Sequence, residues 1–399
     1  MSAGRIPWWT LVVFTLTGFL TQTTSLMTAG LLPAMAEDFE VTEGAAGSLT
    51  SVFAIAIVIT ILPVTRLSYR FTRRQVIVTT VIALVISNIL VATAPVLPLA
   101  LIGRFIGGAA HGILSSAIPS VVTRVVPAAQ VPTALGVVLA GNSAGLAVGA
   151  PLSAVLSGAL GWRGAFVVMA VTGIVLAIAL VRVVPPIRLS RDSTATAWSS
   201  LRTPGVLRIS VSWGLVLLGH YAVLTFIAPL FTALGGDVSQ VGMPLVILGC
   251  AGIVGVLCAG RISNRILVGA TAGAGALVGT GFLVLWAAPP MWMVFAMLIL
   301  WGAGSAASLA LNQRCVLAAG RSAPEMAMSV ALLINQFGIA LGATVGGVAI
   351  ENIGARAVPA TGAFALMGSL LLLVGFHRVL RSTRIAGLRR VPEDNTTQE

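Results

Sequence analysis

Long apolar runs, separated by Pro, Gly or charged residues, extend along almost the whole chain. The runs repeatedly reach the ~20 residues that a helix needs to cross the hydrocarbon core of a bilayer. They are continuous rather than alternating, which favours helices over the strands of a membrane β-barrel. The pattern predicts an all-α polytopic membrane protein with twelve transmembrane helices, at residues 9–33, 46–65, 75–94, 98–122, 133–158, 163–184, 208–232, 240–260, 267–287, 291–312, 326–350 and 358–379.

Two pairs of segments repeat each other about half a chain apart. Residues 142–150 (NSAGLAVGA) recur at 335–343 (NQFGIALGA), 193 residues later, and residues 66–70 (RLSYR) recur at 261–265 (RISNR), 195 residues later. The match at the first offset continues through Gly161 with Gly354 and Arg163 with Arg356. Two copies of one apolar unit in the same direction indicate a transporter built from parallel repeats.

The repeat divides the chain into two predicted six-helix bundles. The N-terminal bundle is expected over residues 1–184 and the C-terminal bundle over residues 207–380. Residues 185–206 are the longest polar stretch in the middle of the chain and are predicted to form a cytoplasmic linker. Residues 381–399 are predicted to form a cytoplasmic tail.

The charge distribution predicts how the spans are oriented. Charged residues make up 9% of the chain, against about 25% in soluble proteins, and the net charge is +12 with every basic residue an arginine. The arginines concentrate in alternate loops, so they orient the spans and no nucleic-acid partner is expected. By the positive-inside rule both termini lie in the cytoplasm. The absence of Lys is typical of a GC-rich bacterium, which makes the inner membrane the expected location.

Three stretches carry a resemblance to a known family. They are AGLLPAMAED at 29–38, RFIGGAAHG at 104–112, and the segment 141–151 followed by Gly-Trp-Arg at 161–163. With twelve spans in two halves, they resemble the major facilitator superfamily, and the first half is closest to its bacterial drug:proton antiporters of the sugar-efflux and chloramphenicol-efflux type. The resemblance covers essentially the whole chain, and it implies secondary transport by alternating access.

The loop after span two is a degenerate version of the family's gating motif. The basic residues of that motif are present, but its acidic residue and its glycines are missing. In the family these charges hold the outward-facing state through contacts with neighbouring helices. The alternative is that the arginines only orient the spans. The residues concerned are Arg66, Arg70, Arg73 and Arg74.

Span five carries Gly141, Gly145 and Gly149 at four-residue spacing, followed by Pro151. Glycines at this spacing line one helix face and allow close backbone approach, and the proline can kink the helix. In the resembled family this is the antiporter signature, which implies export. Plain helix packing is the alternative, and the two readings are compatible.

Arg104 is the one arginine within span four. A charged residue at this depth costs about 2.5–3.5 kcal/mol on insertion scales, so it is expected to face a cavity. In the resembled family the arginine of this span is linked to proton coupling. The alternative is that Arg104 extends to the outer interface.

No carboxylate lies in the predicted membrane interior. Relatives of the sugar and chloramphenicol exporters often carry an acidic residue on span one, where this chain has Ser25. His111 and His220 titrate near neutrality and are the remaining candidates for proton coupling, with Glu351 at the outer end of span eleven as a third. The alternative for each histidine is a hydrogen-bonded packing role.

Several polar or aromatic side chains are candidates to line a substrate cavity. The amides can bond a polar drug or sugar, or they can bond across helices as structural contacts. The candidates are Gln22, Ser25, Asn142, Asn335, Gln336 and Tyr221.

These observations predict a secondary transporter that exports a small, moderately apolar compound, such as an antibiotic, a drug or a sugar-like metabolite, by proton antiport. An importer or uniporter without proton coupling is the alternative that the missing carboxylate favours, and a membrane-embedded sensor is the alternative from another class. No nucleotide-binding loop, metal-ligand spacing or catalytic triad occurs in the sequence, so we expect neither an enzyme nor a cofactor or metal. The expected partners are the substrate, protons and the lipid bilayer, and the architecture is expected to work as a monomer.

Overall fold

The computed structural model describes residues 8–68, 70–127, 130–188, 204–237, 240, 242–320 and 324–388. Within these ranges the apolar runs are helical and no strand is present. The helices are α1 (Trp8–Asp38), α2 (Glu43–Ser68), α3 (Arg73–Thr93), α4 (Leu97–Val125), α5 (Val131–Val183), α6 (Pro204–Thr225), α7 (Ile227–Ala233), α8 (Gly242–Gly260), α9 (Leu267–Trp286), α10 (Met291–Ala319), α11 (Pro324–Asn352) and α12 (Val358–Leu388).

Helix α5 contains both the fifth and the sixth predicted spans, and it reverses direction at Gly161. This residue has φ 73° and ψ 167°, a backbone conformation that a side chain disfavours. Its repeat partner Gly354 has φ 112° and ψ 167° between α11 and α12. The repeated glycine therefore marks the same reversal in both halves, and α5 counts as two arms, 131–160 and 162–183.

The seventh predicted span is divided between α6 and α7, which meet at Phe226. The cause is Pro229, which has no N–H to donate to the carbonyl of Thr225 and whose ring crowds that carbonyl. Counting α6 with α7 as one crossing and α5 as two, the described helices give the twelve predicted crossings.

The helices form two bundles, each around its own apolar core. One core draws its buried residues from positions 11–184. The other draws them mainly from positions 206–366, with additional residues of α1, α2 and α5 packed onto it. The predicted domain boundaries stay predictions, because residues 189–203 and 389–399 lie outside the described residues.

The internal repeat is visible in how helix backbones approach each other. A Cβ placed on Gly145 of α5 would lie 2.8 Å from the carbonyl oxygen of Phe19 on α1. At the corresponding place, a Cβ on Gly338 of α11 would collide with the carbonyl oxygen of Gly214 on α6. Phe19 and Gly214 are 195 residues apart, so α1 with α5 and α6 with α11 pack in the same way.

A second pair of close backbone contacts, between α2 and α4, is repeated between α8 and α10. A Cβ on Gly108 of α4 would collide with the carbonyl oxygen of Phe53 on α2. A Cβ on Gly302 of α10 would lie 2.5 Å from the carbonyl oxygen of Leu248 on α8. Residues 194 and 195 positions apart therefore occupy equivalent places in the two bundles.

The two ends of the molecule differ in how they are joined. At one end of the molecule α1 begins and the second arm of α5 ends, and the Thr10 hydroxyl lies 3.5 Å from the carbonyl of Val183. We call this end the linker end. The opposite end is the far end. There Arg163 forms an ion pair with Asp38 at the end of α1, and its repeat partner Arg356 donates to the carbonyl of Ala233 at 2.8 Å. These two arginines thus fasten the last turn of the first membrane crossing in each half, α1 in one and α6 with α7 in the other.

The two halves meet at the far end along α2 and α11. The Thr42 hydroxyl donates to Oε1 of Glu351 at 2.6 Å. Nearer the middle, the Ser51 hydroxyl lies 3.1 Å from the carbonyl of Ala340 and 3.0 Å from the Thr344 hydroxyl. Gly44 lies so close to the Glu351 side chain that an added Cβ would be 2.7 Å from its Cγ. We call these contacts the far-end latch.

We expect Gly145→Val to destabilise the N-terminal bundle, because the added atoms must separate α5 from α1. Overpacking of this kind typically costs about 1–3 kcal/mol. Thermal unfolding of the detergent-purified protein measures the change. Gly136→Val is the matched control, since a Cβ at that exposed position on the same helix meets nothing within 4 Å. Equal melting temperatures for the two variants would contradict the close packing of α1 on α5.

Candidate functional site

A recess opens between α1, α4 and the first arm of α5. Its lining combines a few polar groups with an aliphatic wall. The structure brings together two of the predicted site residues here, His111 and Asn142. The lining residues are Gly18, Thr21, His111, Leu114, Ser115, Ile118, Pro119, Val138, Leu139 and Asn142.

The amide of Asn142 is positioned by the absence of a side chain at Gly18. A Cβ on Gly18 would collide with Oδ1 of Asn142, so the amide oxygen lies directly against the α1 backbone at this glycine. One turn further along both helices, the Cβ of Gln22 lies 2.7 Å from where a Cβ on Gly145 would be. The glycine ladder of α5 therefore places Asn142 and Gln22 one turn apart along the α1–α5 contact.

His111 contributes a polar edge to the recess. Its ring packs edge-on against Phe53 with 5.6 Å between centroids. Its buried Nδ1 has no hydrogen-bond partner among the described residues. This nitrogen is therefore buried and unsatisfied in this conformation.

Arg104 is fully buried, seven residues before His111 on α4. The expected alternative, in which its head reaches the outer interface, is excluded by this burial. Its guanidinium donates to three backbone carbonyls, those of Thr24 at 2.8 Å, Ser25 at 3.1 Å and Leu49 at 3.2 Å. The same group lies over the Phe53 ring at 4.2 Å. Arg104 thus joins α1, α2 and α4, and it shares Phe53 with His111.

His220 has a different environment. The indole N–H of Trp301 donates to its Nδ1 at 3.0 Å, so this nitrogen acts as an acceptor. Tyr221 is buried beside it, with 5.3 Å between the ring centroids. Since both nitrogens of a protonated histidine are donors, protonating His220 requires the Trp301 bond to break.

The remaining cavity candidates do not line the recess. Asn335 and Gln336 are buried on α11 in the other half, and Oδ1 of Asn335 has no partner among the described residues. Ser25 contributes through its backbone carbonyl, which accepts from Arg104.

Two of the four arginines predicted to form the gating loop begin α3 and contact the residues that follow α5. The backbone N–H of Arg73 donates to the carbonyl of Ile187 at 2.8 Å, and Nε of Arg74 donates to the carbonyl of Val184 at 2.5 Å. Arg70 is exposed, and the Arg66 side chain lies outside the described ones. These contacts bind the loop within its own half, and a gating role for the four residues remains a prediction.

Sequence reasoning missed Gly18 and Thr21 as lining residues, together with the aliphatic wall. The available signal was the placement of Gly18 and Gln22 at four-residue spacing on α1, facing the glycine ladder. That signal identifies a helix contact, but it does not show that a recess opens beside it.

Comparison with known proteins places the chain in a family. The sequence model of the Major Facilitator Superfamily matches residues 14–323. The chain belongs to the major facilitator superfamily. Purine ribonucleoside efflux pumps named NepI, from Salmonella typhimurium (strain LT2) and Salmonella typhi, are each 30% identical to it over 355 residues, covering 88% of both chains.

Solved structures of this superfamily share the fold. A bacterial homologue of the human lysosomal transporter Spinster, in an inward-facing and occupied conformation, matches with a TM-score of 0.73 and 16% identity over 99% of this chain and 100% of the other. A D-xylose–proton symporter matches with a TM-score of 0.70 and 17% identity over 92% and 97%. The prediction of a twelve-helix facilitator fold is therefore confirmed, and the protein is a multi-pass membrane transporter rather than an enzyme.

We expect Arg104→Lys to destabilise the protein although it keeps the charge. A lysine ammonium cannot reproduce the planar fork of donors, and each lost hydrogen bond to a charged group is worth about 1.5–3 kcal/mol. Thermal unfolding in detergent tests this. Arg124→Lys, at an exposed position on the same helix, is the control and should change little. A melting temperature for Arg104→Lys equal to that of the control would show that the three carbonyl contacts contribute nothing.

Proposed function

We propose that this facilitator exports a purine ribonucleoside, or a compound of similar size and polarity, across the bacterial inner membrane by proton antiport. The observation that carries the proposal is the recess, in which His111 and Asn142 face an aliphatic wall. The names of the 30% identical relatives point to the same substrate class. A nucleoside joins a flat heteroaromatic base to a sugar, so it agrees with the expected sugar-like and moderately apolar cargo.

The chemistry of the recess suits a purine base. An asparagine amide offers one acceptor and two donors, and a neutral imidazole offers one of each. The hydrogen-bonding edge of a purine presents the complementary groups. Leu114, Ile118 and Val138 form the apolar part of the lining, on which the base would pack.

The charge pattern of the loops predicts which side of the membrane each end of the molecule faces. The positive-inside rule assigns the linker end to the cytoplasm and the far end to the outside. The far-end latch then closes the outer side, so this conformation would load substrate from the cytoplasm. Alternating access requires the latch to break when the outer side opens.

His111 is the proposed proton carrier. Its Nδ1 has no partner among the described residues, whereas Nδ1 of His220 is occupied by Trp301. His111 also lies in the recess, where a bound substrate and a bound proton would compete for the same side chain. Such competition supports antiport, because the site then holds one or the other.

We expect cross-linking of the far-end latch to stop transport. In a variant with Cys250, Cys258 and Cys315 replaced by Ala, Gly44→Cys and Glu351→Cys place two sulfurs across the interface between the halves. An oxidant should then abolish nucleoside efflux from proteoliposomes, and a reductant should restore it, because the outer side cannot open while the halves are joined.

The single-cysteine variants, treated in the same way, are the controls for that experiment. Undiminished efflux from the cross-linked double variant would show that α2 and α11 need not separate at this end during transport.

We expect proteoliposomes that contain the wild-type protein to show nucleoside-dependent proton flux, measured with an internal pH-sensitive dye and a radiolabelled purine ribonucleoside. His111→Gln should lose at least tenfold of the uphill transport and retain downhill exchange, since the amide can still bond the substrate. His220→Gln is the matched variant and should retain coupling.

Three other outcomes separate the alternatives. Nucleoside movement without proton flux in the wild-type protein would identify an uncoupled facilitator, as the missing carboxylate favours. Binding without any movement would identify a sensor. Coupling that survives in both histidine variants would exclude a histidine as the proton carrier.

A further inference from the structure

The ring of Phe53 on α2 packs against both Arg104 and His111 of α4. The guanidinium carbon of Arg104 lies 4.2 Å from the ring centroid, and the His111 ring meets the phenyl ring edge-on with 5.6 Å between centroids. Gly107 leaves the space for this ring, since an added Cβ there would lie 3.3 Å from Cε2 of Phe53. Phe53 is 3% exposed. The ring is therefore a buried contact that α2 shares with a fixed cation and with the proposed proton carrier.

The internal repeat shows that the ring is not needed for the contact between the helices. Gly108 of α4 leaves room for the carbonyl of Phe53, and Gly302 of α10 leaves the same room for the carbonyl of Leu248 on α8. A leucine therefore stands at the position equivalent to Phe53, 195 residues later. The same close approach of two helices is built there without an aromatic side chain.

The charged and titratable partners of the ring are also confined to the first half. The positions equivalent to Arg104 and His111, 194 residues later, are Leu298 and Ser305. An aromatic residue thus occurs in the half that has the arginine and the histidine, and a leucine occurs in the half that has neither. This correspondence indicates that Phe53 acts on Arg104 and His111 rather than on helix packing.

Helix α2 connects this cluster to the far-end latch. Ser51 of the latch lies two residues before Phe53, about 200° around the helix, so the latch contact with α11 and the ring contact with α4 lie on opposite sides of α2. Arg104 holds the α4 side through the ring and through the carbonyl of Leu49 at 3.2 Å. Because α2 is continuous over Glu43–Ser68, a displacement at the ring is carried to the latch.

We propose that Phe53 is the positioning residue that couples a proton on His111 to the far-end latch. The proposal rests on the proposed function, in which His111 carries the proton. The face of an aromatic ring is negative, so it attracts the Arg104 guanidinium and holds α2 against α4. Protonation of His111 brings a second cation to a ring that already holds one, and like charges repel strongly in an apolar interior.

This repulsion gives the latch its dependence on the proton. In the closed-latch conformation a proton on His111 is disfavoured by Arg104 across the shared ring. A proton that binds one conformation less well shifts the population toward the other, so acidification favours the open latch. The same difference releases the proton to the cytoplasm when the latch closes, which is the direction that proton-driven export requires.

Other titratable groups must be separated from His111 in any test. Arg104 faces both Phe53 and His111 from α4, and the described lining residues of the recess on α1 and α5 carry no titratable side chain. At the latch, Glu351 lies on α11 and Glu43 begins α2. The His111→Gln variant measures the part of any pH response that these two carboxylates contribute.

The test measures the distance across the latch. With the native cysteines replaced by Ala, Glu40→Cys and Asn352→Cys place spin labels at two exposed positions of the far end. Pulsed electron paramagnetic resonance gives the distances between about pH 5 and pH 8, the range in which histidine titrates. Acidification should populate longer distances in this parent protein, and both Phe53→Leu and His111→Gln should lose that shift.

Phe14→Leu is the matched control for loss of a buried ring, because Phe14 lies in the same apolar core near the linker end of α1. It should keep the pH-dependent shift. Its melting temperature, compared with that of Phe53→Leu, separates a loss of coupling from a loss of stability.

Fluorinated phenylalanine at position 53 gives a second measurement that also serves where Phe53→Leu is too unstable to label. One, two or three ring fluorines keep the shape of the side chain and lower the negative potential of its face stepwise. The pH-dependent shift should shrink with each added fluorine. An unchanged shift along the series would show that the ring only fills space.

The outcomes distinguish this inference from the proposed function. A pH-dependent shift that survives in Phe53→Leu, or a parent protein with no shift but intact proton-coupled export, would overturn the inference alone. A shift that requires His111 and Phe53 in a protein that moves no nucleoside would support the inference and overturn the proposed substrate. A parent protein with neither a shift nor coupled export would overturn both.

Discussion

The contact on which the rest of this structure depends is the approach of two helix backbones without intervening side chains. In each half, the first helix lies against a helix whose glycines leave room for its carbonyls, α1 against α5 and α6 against α11. Surrounding lipid is as apolar as the helix surfaces, so burial of apolar area adds little to association in a membrane, and close van der Waals packing becomes decisive. This one contact fixes where Asn142 and Gln22 lie, and it is repeated in the other half.

A second constraint comes from charge inside an apolar bundle. Among the described residues Arg104 has no carboxylate partner, and it is instead surrounded by three carbonyl oxygens and an aromatic ring. Each carbonyl belongs to a helix and can accept a second bond through its free lone pair. The arginine therefore joins three helices at their backbones, next to the histidine that we propose as the proton carrier. Any rearrangement of α4 moves both side chains together.

The two halves use one scaffold for different chemistry. Equivalent glycines make equivalent contacts in both halves, but the residues between them differ. Gly18 leaves a recess where Trp213 fills the same place, and His111 corresponds to Ser305. Duplication thus preserved the contacts that hold each bundle together and left the lining free to diverge.

The sequence by itself determined the number of crossings, the division into two repeats, the family and the glycine contacts, because these depend on local composition and periodicity. It also identified Gly161 and Gly354 as related positions, although the shared positive φ that explains them is a property of the backbone. Only the tertiary structure decided that Arg104 is buried against backbone carbonyls and that the Trp301 indole N–H donates to Nδ1 of His220. It also decided that a recess lies beside Gly18 and His111. Those contacts depend on which faces of distant helices meet. When apolar residues surround a whole helix, the periodicity of the sequence carries little information about which face packs against which neighbour.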